Sequence, residues 1–342
     1  MKISVLVTLF VIVIGCFFCG NGMLVAQTFH FSDAYSTHLV LNPANTGRFN
    51  GEWRAVGVFR QQGENGSQDY QTGYFSFEYP FYFKNERIDA GIYFLSDNSA
   101  NGTLPVNRVN ISLGHGVRLG LRSMLYGGIQ LAAVHKQVKW DGITFPDQYN
   151  RNTGGFDSTM PTGESFENSS TFYLDAGFGV VYLKQWDFGM ASVGYSAQQL
   201  NRPNESFFDI DNNLSIKHVF HAKGDFVINE RLFVIPSLVG IYVNKASETM
   251  VGGHLGYNVN DWLNQKNNII AGLHLRNATY DRRSVVLSAG VSWQYWSCMV
   301  AYDMDIGAST STQYNSSAFE MGVIYKLPST DLTRKMVPCE RY

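Results

Sequence analysis

Between residues 52 and 327 the chain alternates apolar with polar or small side chains in stretches of roughly ten residues, punctuated by Gly, Asn, Asp and Pro. The cleanest stretch sets Val285, Leu287, Ala289, Val291 and Trp293 on one strand face and Ser288, Gly290, Ser292 and Gln294 on the other. Applied along the chain, the same period predicts strands near 52–60, 70–79, 87–96, 106–115, 123–135, 170–183, 186–198, 214–227, 231–243, 248–257, 267–276, 284–294, 296–305 and 316–327. The tally is about fourteen, an even number, with about twelve or sixteen tolerable because boundaries slip by a few residues.

The connections sort into two kinds, as they do when strands cross a bilayer back and forth. Residues 61–69, 97–105, 136–169, 199–213 and 306–315 form longer polar links on one side, whereas 184–185 and 229–230 are tight turns on the other. Two links resist the scheme: 244–247 is short on the long side, and 258–266 is long on the short side. One strand miscounted between them would explain both. Aromatic residues gather near predicted strand ends, at Tyr79, Phe81, Tyr82 and Phe83 and at Trp293, Tyr295 and Trp296, as interfacial girdles do.

Composition favours lipid over a soluble core. Only 16% of the 342 residues are charged while 14% are aromatic, yet no segment after the N-terminal run is apolar enough for a membrane helix. The reading is all-β: a transmembrane antiparallel β-barrel of about fourteen strands, outer-membrane type, with apolar residues outward and a polar lumen. No linker or compositional shift divides the barrel, which is assigned residues 52–327.

The N-terminus supplies the compartment. Lys2 precedes an apolar run to Phe18, and small residues lead to Ala26 before the polar Gln27, which reads as a signal peptide, 1–26, cut after Ala26. An uncleaved anchor and a lipoprotein site at Gly15–Cys16 are the weaker alternatives. Cleavage leaves only Cys298 and Cys339, so no disulfide framework exists, and Cys298 falls on an apolar strand face. A net charge of −2 without a basic run gives no nucleic-acid surface.

Residues 35–47 read Tyr-Ser-Thr-His-Leu-Val-Leu-Asn-Pro-Ala-Asn-Thr-Gly, followed by a strand with Trp53, Arg54 and Arg60. This opening resembles the PorP/SprF family of outer-membrane proteins of the type IX secretion system, whose members begin with Asn-Pro-Ala-x-x-Gly. The segment Phe319-Glu320-Met321-Gly322-Val323-Ile324-Tyr325 is similar to that family's closing strand, and Pro338-Cys339-Glu340-Arg341-Tyr342 to its terminal tail. The resemblance implies a non-enzymatic role in exporting adhesins or other cargo with a C-terminal sorting domain, or in retaining them at the cell surface, with gliding motility a related use in some members. Implied partners are outer-membrane lipid, other type IX components and that cargo. The loop at 140–167 has no counterpart in the family pattern.

The termini are therefore the candidate partner contacts: Asn42, Pro43, Ala44 and Gly47 in a periplasmic segment, 27–51, and Pro338, Cys339, Arg341 and Tyr342 in a periplasmic tail, 328–342. Catalytic, cofactor and metal sites are not expected. Asp141, Asp147, Asp157, Glu164 and Glu167 lack the close spacing of a calcium loop. His115, His135, His218, His221, His254 and His274 follow no nucleophile motif and read as lumenal polar residues. Lys217, His221, Lys223, Asp225, Asp303, Asp305, Glu320 and Lys326 are expected to face inward, and His274 and Arg276 sit opposite Leu273 and Leu275. Such inward charges raise the alternative of a passive porin or solute channel.

Overall fold

The computed structural model describes residues 31–63, 70–83, 86–99, 102–139, 144–162, 170–207, 211–244, 246–262, 265–279, 282–306 and 317–328. Residues 1–30, which contain the expected signal peptide 1–26, and residues 329–342, including Pro338, Cys339, Arg341 and Tyr342, lie outside the described residues.

Fourteen antiparallel strands close into one barrel. They are β1 Trp53–Gln62, β2 Tyr70–Phe83, β3 Glu86–Ser99, β4 Leu104–Gly120, β5 Ser123–Gln137, β6 Ser170–Trp186 and β7 Gly189–Gln198. The circuit continues through β8 Lys217–Val227, β9 Leu232–Val243, β10 Ala246–Trp262, β11 Gln265–Ala278, β12 Arg282–Trp293, β13 Trp296–Asp305 and β14 Ala318–Leu327. Each strand pairs with its sequence neighbours, and β1 meets β14 from Trp53↔Leu327 to Gln62↔Ala318, which removes every open edge. A two-residue ladder, Tyr149–Asn150 with Gly155–Phe156, decorates the long β5–β6 connection.

Alternation decides which way each side chain points. Ile92, Ile111, Ile129, Leu273, Leu287 and Met321 are all exposed on the outer wall, a continuous apolar band that only lipid can cover without cost. Cys298 belongs to the same outer face. Aromatic side chains ring the end that carries the tight turns and both barrel termini. There Trp53 and Trp296 pack 4.9 and 4.6 Å from Tyr325, and Trp186 stacks on Phe188 at 6.0 Å.

The link at 258–266 is a correction. Strands β10 and β11 stay paired to Trp262↔Gln265, with a bulge between Asn258 and Asn260, so only residues 263–264 separate them. No strand was miscounted. The polar Asn258, Asn260 and Asp261 at the rim break the alternation while the ladder continues; β2 and β4 also run past their predicted ends, to Phe83 and Gly120.

Residues 31–49 are the larger surprise. This stretch packs inside the barrel instead of lying below it. Its apolar side chains account for the location: Phe31 and Leu39 join Val56, Tyr74 and Leu95, Ala34 and Leu41 join Val219 and Met250, and Ala44 joins Tyr126 and Val181. Buried apolar surface of this extent is lost if the segment is left in water.

Candidate functional site

The lumenal segment is held as a compact, non-repetitive plug. Asp33 starts a turn closed by Ser36 N to Asp33 O (3.1 Å) and by Ser36 Oγ donating to Asp33 Oδ2 (2.7 Å). One helical turn, α1 His38–Leu41, follows and stops at Asn42, whose extended backbone is what a residue before proline prefers. Pro43 then opens a 3₁₀ turn, Pro43–Asn45, capped by Asn42 Oδ1, which accepts from Ala44 N at 2.9 Å.

The same Asn42 fastens this turn to the wall. Its Nδ2 donates to Val180 O (3.2 Å) and Tyr195 O (3.1 Å) and sits 3.1 Å from His221 Nε2. Two wall glycines make the approach possible: a Cβ on Gly128 would collide with the Pro43 carbonyl, and one on Gly179 with Asn42 Oδ1. Gly47 ends the element at φ +72°, and a side chain there would also strike Asp89. Asn-Pro-Ala-x-x-Gly is thus a cap, a turn and a left-handed exit cut to fit a flat patch of barrel wall.

An irregular backbone inside a barrel must find hydrogen-bond partners, and charged wall residues supply them. Glu78 is fully buried. Its Oε1 accepts from Arg54 Nε (2.7 Å), its Oε2 from Arg54 Nη2 (3.0 Å) and from Gly47 N (2.8 Å), and His38 Nε2 lies 2.8 Å from Oε1. A second node forms at Glu320, which accepts from Ser32 N (2.6 Å) and Asp33 N (3.0 Å), while Arg276 Nη2 donates to Phe31 O (2.7 Å). Arg60 bridges this node to Ser32 Oγ and Asp303, and Asp303 also pairs with Arg276. At the turn end Arg87 Nη2 donates to Gly47 O (2.5 Å) and Phe49 O (3.2 Å), and its Nε holds Asp89.

Thirteen charged strand residues are buried among the described residues, seven basic and six acidic, and Asp33 of the plug brings the signs level. Near-neutrality is what a closed, poorly hydrated interior requires. His38 follows the same logic. Burial first, and then the Arg54 guanidinium 2.7 Å away, lower its pKa below the ordinary value against the opposing pull of Glu78, so the imidazole is neutral at pH 7.

Four of the partner-contact residues expected from the sequence, Asn42, Pro43, Ala44 and Gly47, therefore come together, but buried against the wall. The histidines divide. His221, His254 and His274 line the lumen as expected, whereas His115, His135 and His218 share the outward parity of their strands, a correction to their expected lumenal placement. Lys217, His221, Lys223, Asp225, Asp303 and Glu320 are buried inward, and Asp305 and Lys326 share that parity. In the outer loop Asp157 Oδ1 is occupied by Thr159 N (3.0 Å) and Oγ1 (2.6 Å). Sequence reasoning missed Glu78, Arg87, Asp89, Arg108 and Asp175; each is a charge at the inward position of an otherwise regular alternation, and that signal was available.

Fold and lumen together define an outer-membrane β-barrel closed by its own N-terminal segment. The sequence model of the type IX secretion system membrane protein PorP/SprF family matches residues 24–325, and the chain belongs to that family. Among curated proteins no match is found. Among solved structures the barrel is similar to a ΔS2S3 mutant of the TodX monoaromatic hydrocarbon channel, with TM-score 0.51 and 12% identity over 84% of this chain and 93% of that one. The CymD monoaromatic hydrocarbon channel aligns with TM-score 0.51 and 10% identity over 91% and 96% of the two chains. The toluene transporter TodX of Pseudomonas putida aligns with TM-score 0.48 and 11% identity over 87% and 93%. At such identities the likeness is one of fold.

Proposed function

We propose that this protein is a closed, non-enzymatic barrel of the type IX machine that assists export or surface attachment of cargo bearing a C-terminal sorting domain. The observation carrying this reading is the plug. Residues 31–49 fill the lumen and are bonded to β1, β2, β3, β6 and β14, among others. A general solute pore needs a continuous aqueous path, and where the plug meets the wall beside Leu41, Val219 and Met250 the cavity left between them is about 20 Å³. Family membership supports the secretion context.

Partner contact then falls to surfaces beyond the plug. The tail carrying Pro338, Cys339, Arg341 and Tyr342 follows β14, which ends at the aromatic-ringed, tight-turn end of the barrel, the side facing the periplasm in this topology. Asn42, Pro43, Ala44 and Gly47 act on partners only if the plug leaves its seat. A chromosomal deletion, complemented with the full chain or with residues 329–342 removed, tests the reading by measuring cargo at the cell surface. Loss of cargo display in the deletion strain, with purified protein non-conducting in planar bilayers, is the expected result. Normal display together with steady, large single-channel currents overturns it in favour of a porin.

A further inference from the structure

Closure leaves no strand without two neighbours, yet β6 outruns one of them. On one side it pairs with β5 over its length, from Ser123↔Lys184 to Gln137↔Ser170, but on the other the ladder to β7 stops at Phe178↔Ala197. Even-numbered residues of β6 aim their backbone groups at the β7 side, because Gln185 N turns the opposite way, to Arg122 O. Above Phe178 the chain continues this ladder for one step. Leu200 N donates to Ala176 O (3.0 Å), and the Asn201 carboxamide accepts from Ala176 N (3.1 Å) and donates to Leu174 O (2.8 Å). A side-chain amide here stands in for a peptide group. Gln199 at φ +60° and Arg202 at φ +43°, both in the left-handed region, turn the backbone off the strand direction on either side of it. Beyond Asn201, Leu174 N and both backbone groups of Phe172 have no hydrogen-bond partner among the described residues.

Height decides what can reach this edge. From Lys184 at the tight-turn end to Phe172 is roughly 40 Å of strand at about 3.3 Å per residue, or about 30 Å along the axis for a tilt of about 40°. Phe172 thus clears an apolar band of about 25 Å and stands at the outer, long-loop level. Unpaired N–H and C=O groups have no place in hydrocarbon, but just above it they are a template for another strand. We propose that the upper edge of β6, at Phe172 and Leu174, is a docking site for an extended polypeptide strand added from the long-loop side. Asn201 already shows the recognition, since its amide makes the bonds that a strand residue would make. A residue opposite Phe172 shares its face, so the incoming segment alternates: apolar side chains outward beside the exposed Phe172 and Leu174, polar ones inward beside the half-buried Thr171 and Tyr173. The occupant is a segment of exported cargo, the polypeptide that the barrel meets on that side; this source of the strand rests on the function proposed above.

The test titrates full-length protein in detergent with a dansylated Thr-Val-Thr-Val-Thr peptide and with its fully N-methylated counterpart, read by fluorescence anisotropy. The plain peptide is expected to bind, and the N-methylated one at least tenfold more weakly. Phe172→Pro removes an N–H on the β7 side and leaves the ladder to β5 intact, so it should weaken the peptide at least fivefold, whereas Phe172→Leu should retain most of the binding. Asn201→Ala vacates Leu174 O and Ala176 N and should strengthen it. In cells, Phe172→Pro should shed cargo into the medium where the full chain retains it. Heat-modifiable gel migration identifies the variants that fold. Equal binding of the N-methylated peptide, or unchanged peptide binding in a folded Phe172→Pro protein, overturns the site. Self-association that Phe172→Pro abolishes puts a second copy on the edge and overturns the assignment to cargo. Cargo display lost in the deletion strain but normal in Phe172→Pro overturns it too, while leaving the secretion role standing.

Discussion

Glu78 is the residue at which the plug is most vulnerable. Its carboxylate holds three things at once: the Arg54 guanidinium on β1, the His38 imidazole and the Gly47 amide. Glu78→Ala strips Arg54, itself 5% exposed, of the one carboxylate paired with it among the described residues. Breaking a buried pair in this way costs about 3–5 kcal/mol. Losing two further hydrogen bonds adds roughly 1–3 kcal/mol. The penalty falls on the docked state, because undocking admits water to Arg54. Even 3 kcal/mol shifts the docked-to-undocked ratio on the order of 100-fold. Trypsin cleavage after Arg48, within the plug, reports undocking, and bilayer conductance reports an opened lumen. Both should rise in Glu78→Ala, rise less in Glu78→Gln, and partly recover in the Arg54→Met/Glu78→Leu double variant, where no charge is stranded. Unchanged Arg48 protection and unchanged conductance in a Glu78→Ala barrel that still shows heat-modifiable migration would refute the reasoning.

Further expectations are simpler. Gly128→Ala drives a methyl into the Pro43 carbonyl and should expose Arg48 to trypsin, whereas Gly127→Ala, its outward neighbour with open space around it, should be neutral or stabilising by about 0.5–1 kcal/mol; equal effects at both positions would remove the glycine-seat argument. Ile111→Lys places a charge on the lipid face near the middle of β4 and should reduce folding into vesicles by about 2–4 kcal/mol, read as a shifted denaturant midpoint, with the plug undisturbed. His38, lowered by burial and Arg54, binds its proton more readily when undocked, so the plug keeps its full stability above the ordinary histidine value of 6.5 and loses it as pH falls below. The slope approaches about 1.4 kcal/mol per pH unit, and Arg48 cleavage should therefore climb from pH 7.5 to pH 5.5 in the native chain but stay flat in His38→Gln.

The wall was far more legible than its contents. Period-two alternation is a local signal, and it placed all fourteen strands because lipid outside and polar groups inside impose opposite demands on adjacent residues, as at Ile111 and Ser112 or Leu287 and Ser288. The plug carries no period. His38, Asn42 and Gly47 are read by partners 40, 138 and 31 residues away, at Glu78, Val180 and Glu78 again. The Asn-Pro-Ala element announced a turn, but that its seat is Gly128 and Gly179 follows from barrel closure, which no short window of sequence contains.

That closure has a consequence for assembly. Ser32 and Asp33, ahead of the first strand, are bonded to Glu320 on the last strand, 288 and 287 positions later, while Arg60 on the first strand reaches Ser32. In the folded protein the N-terminal stretch is therefore bonded to both lips of the β1–β14 seam and ties the first strand to the last. Contacts of such sequence separation are the slowest a chain makes, so the seam and the seat of the plug are expected among the last contacts to form.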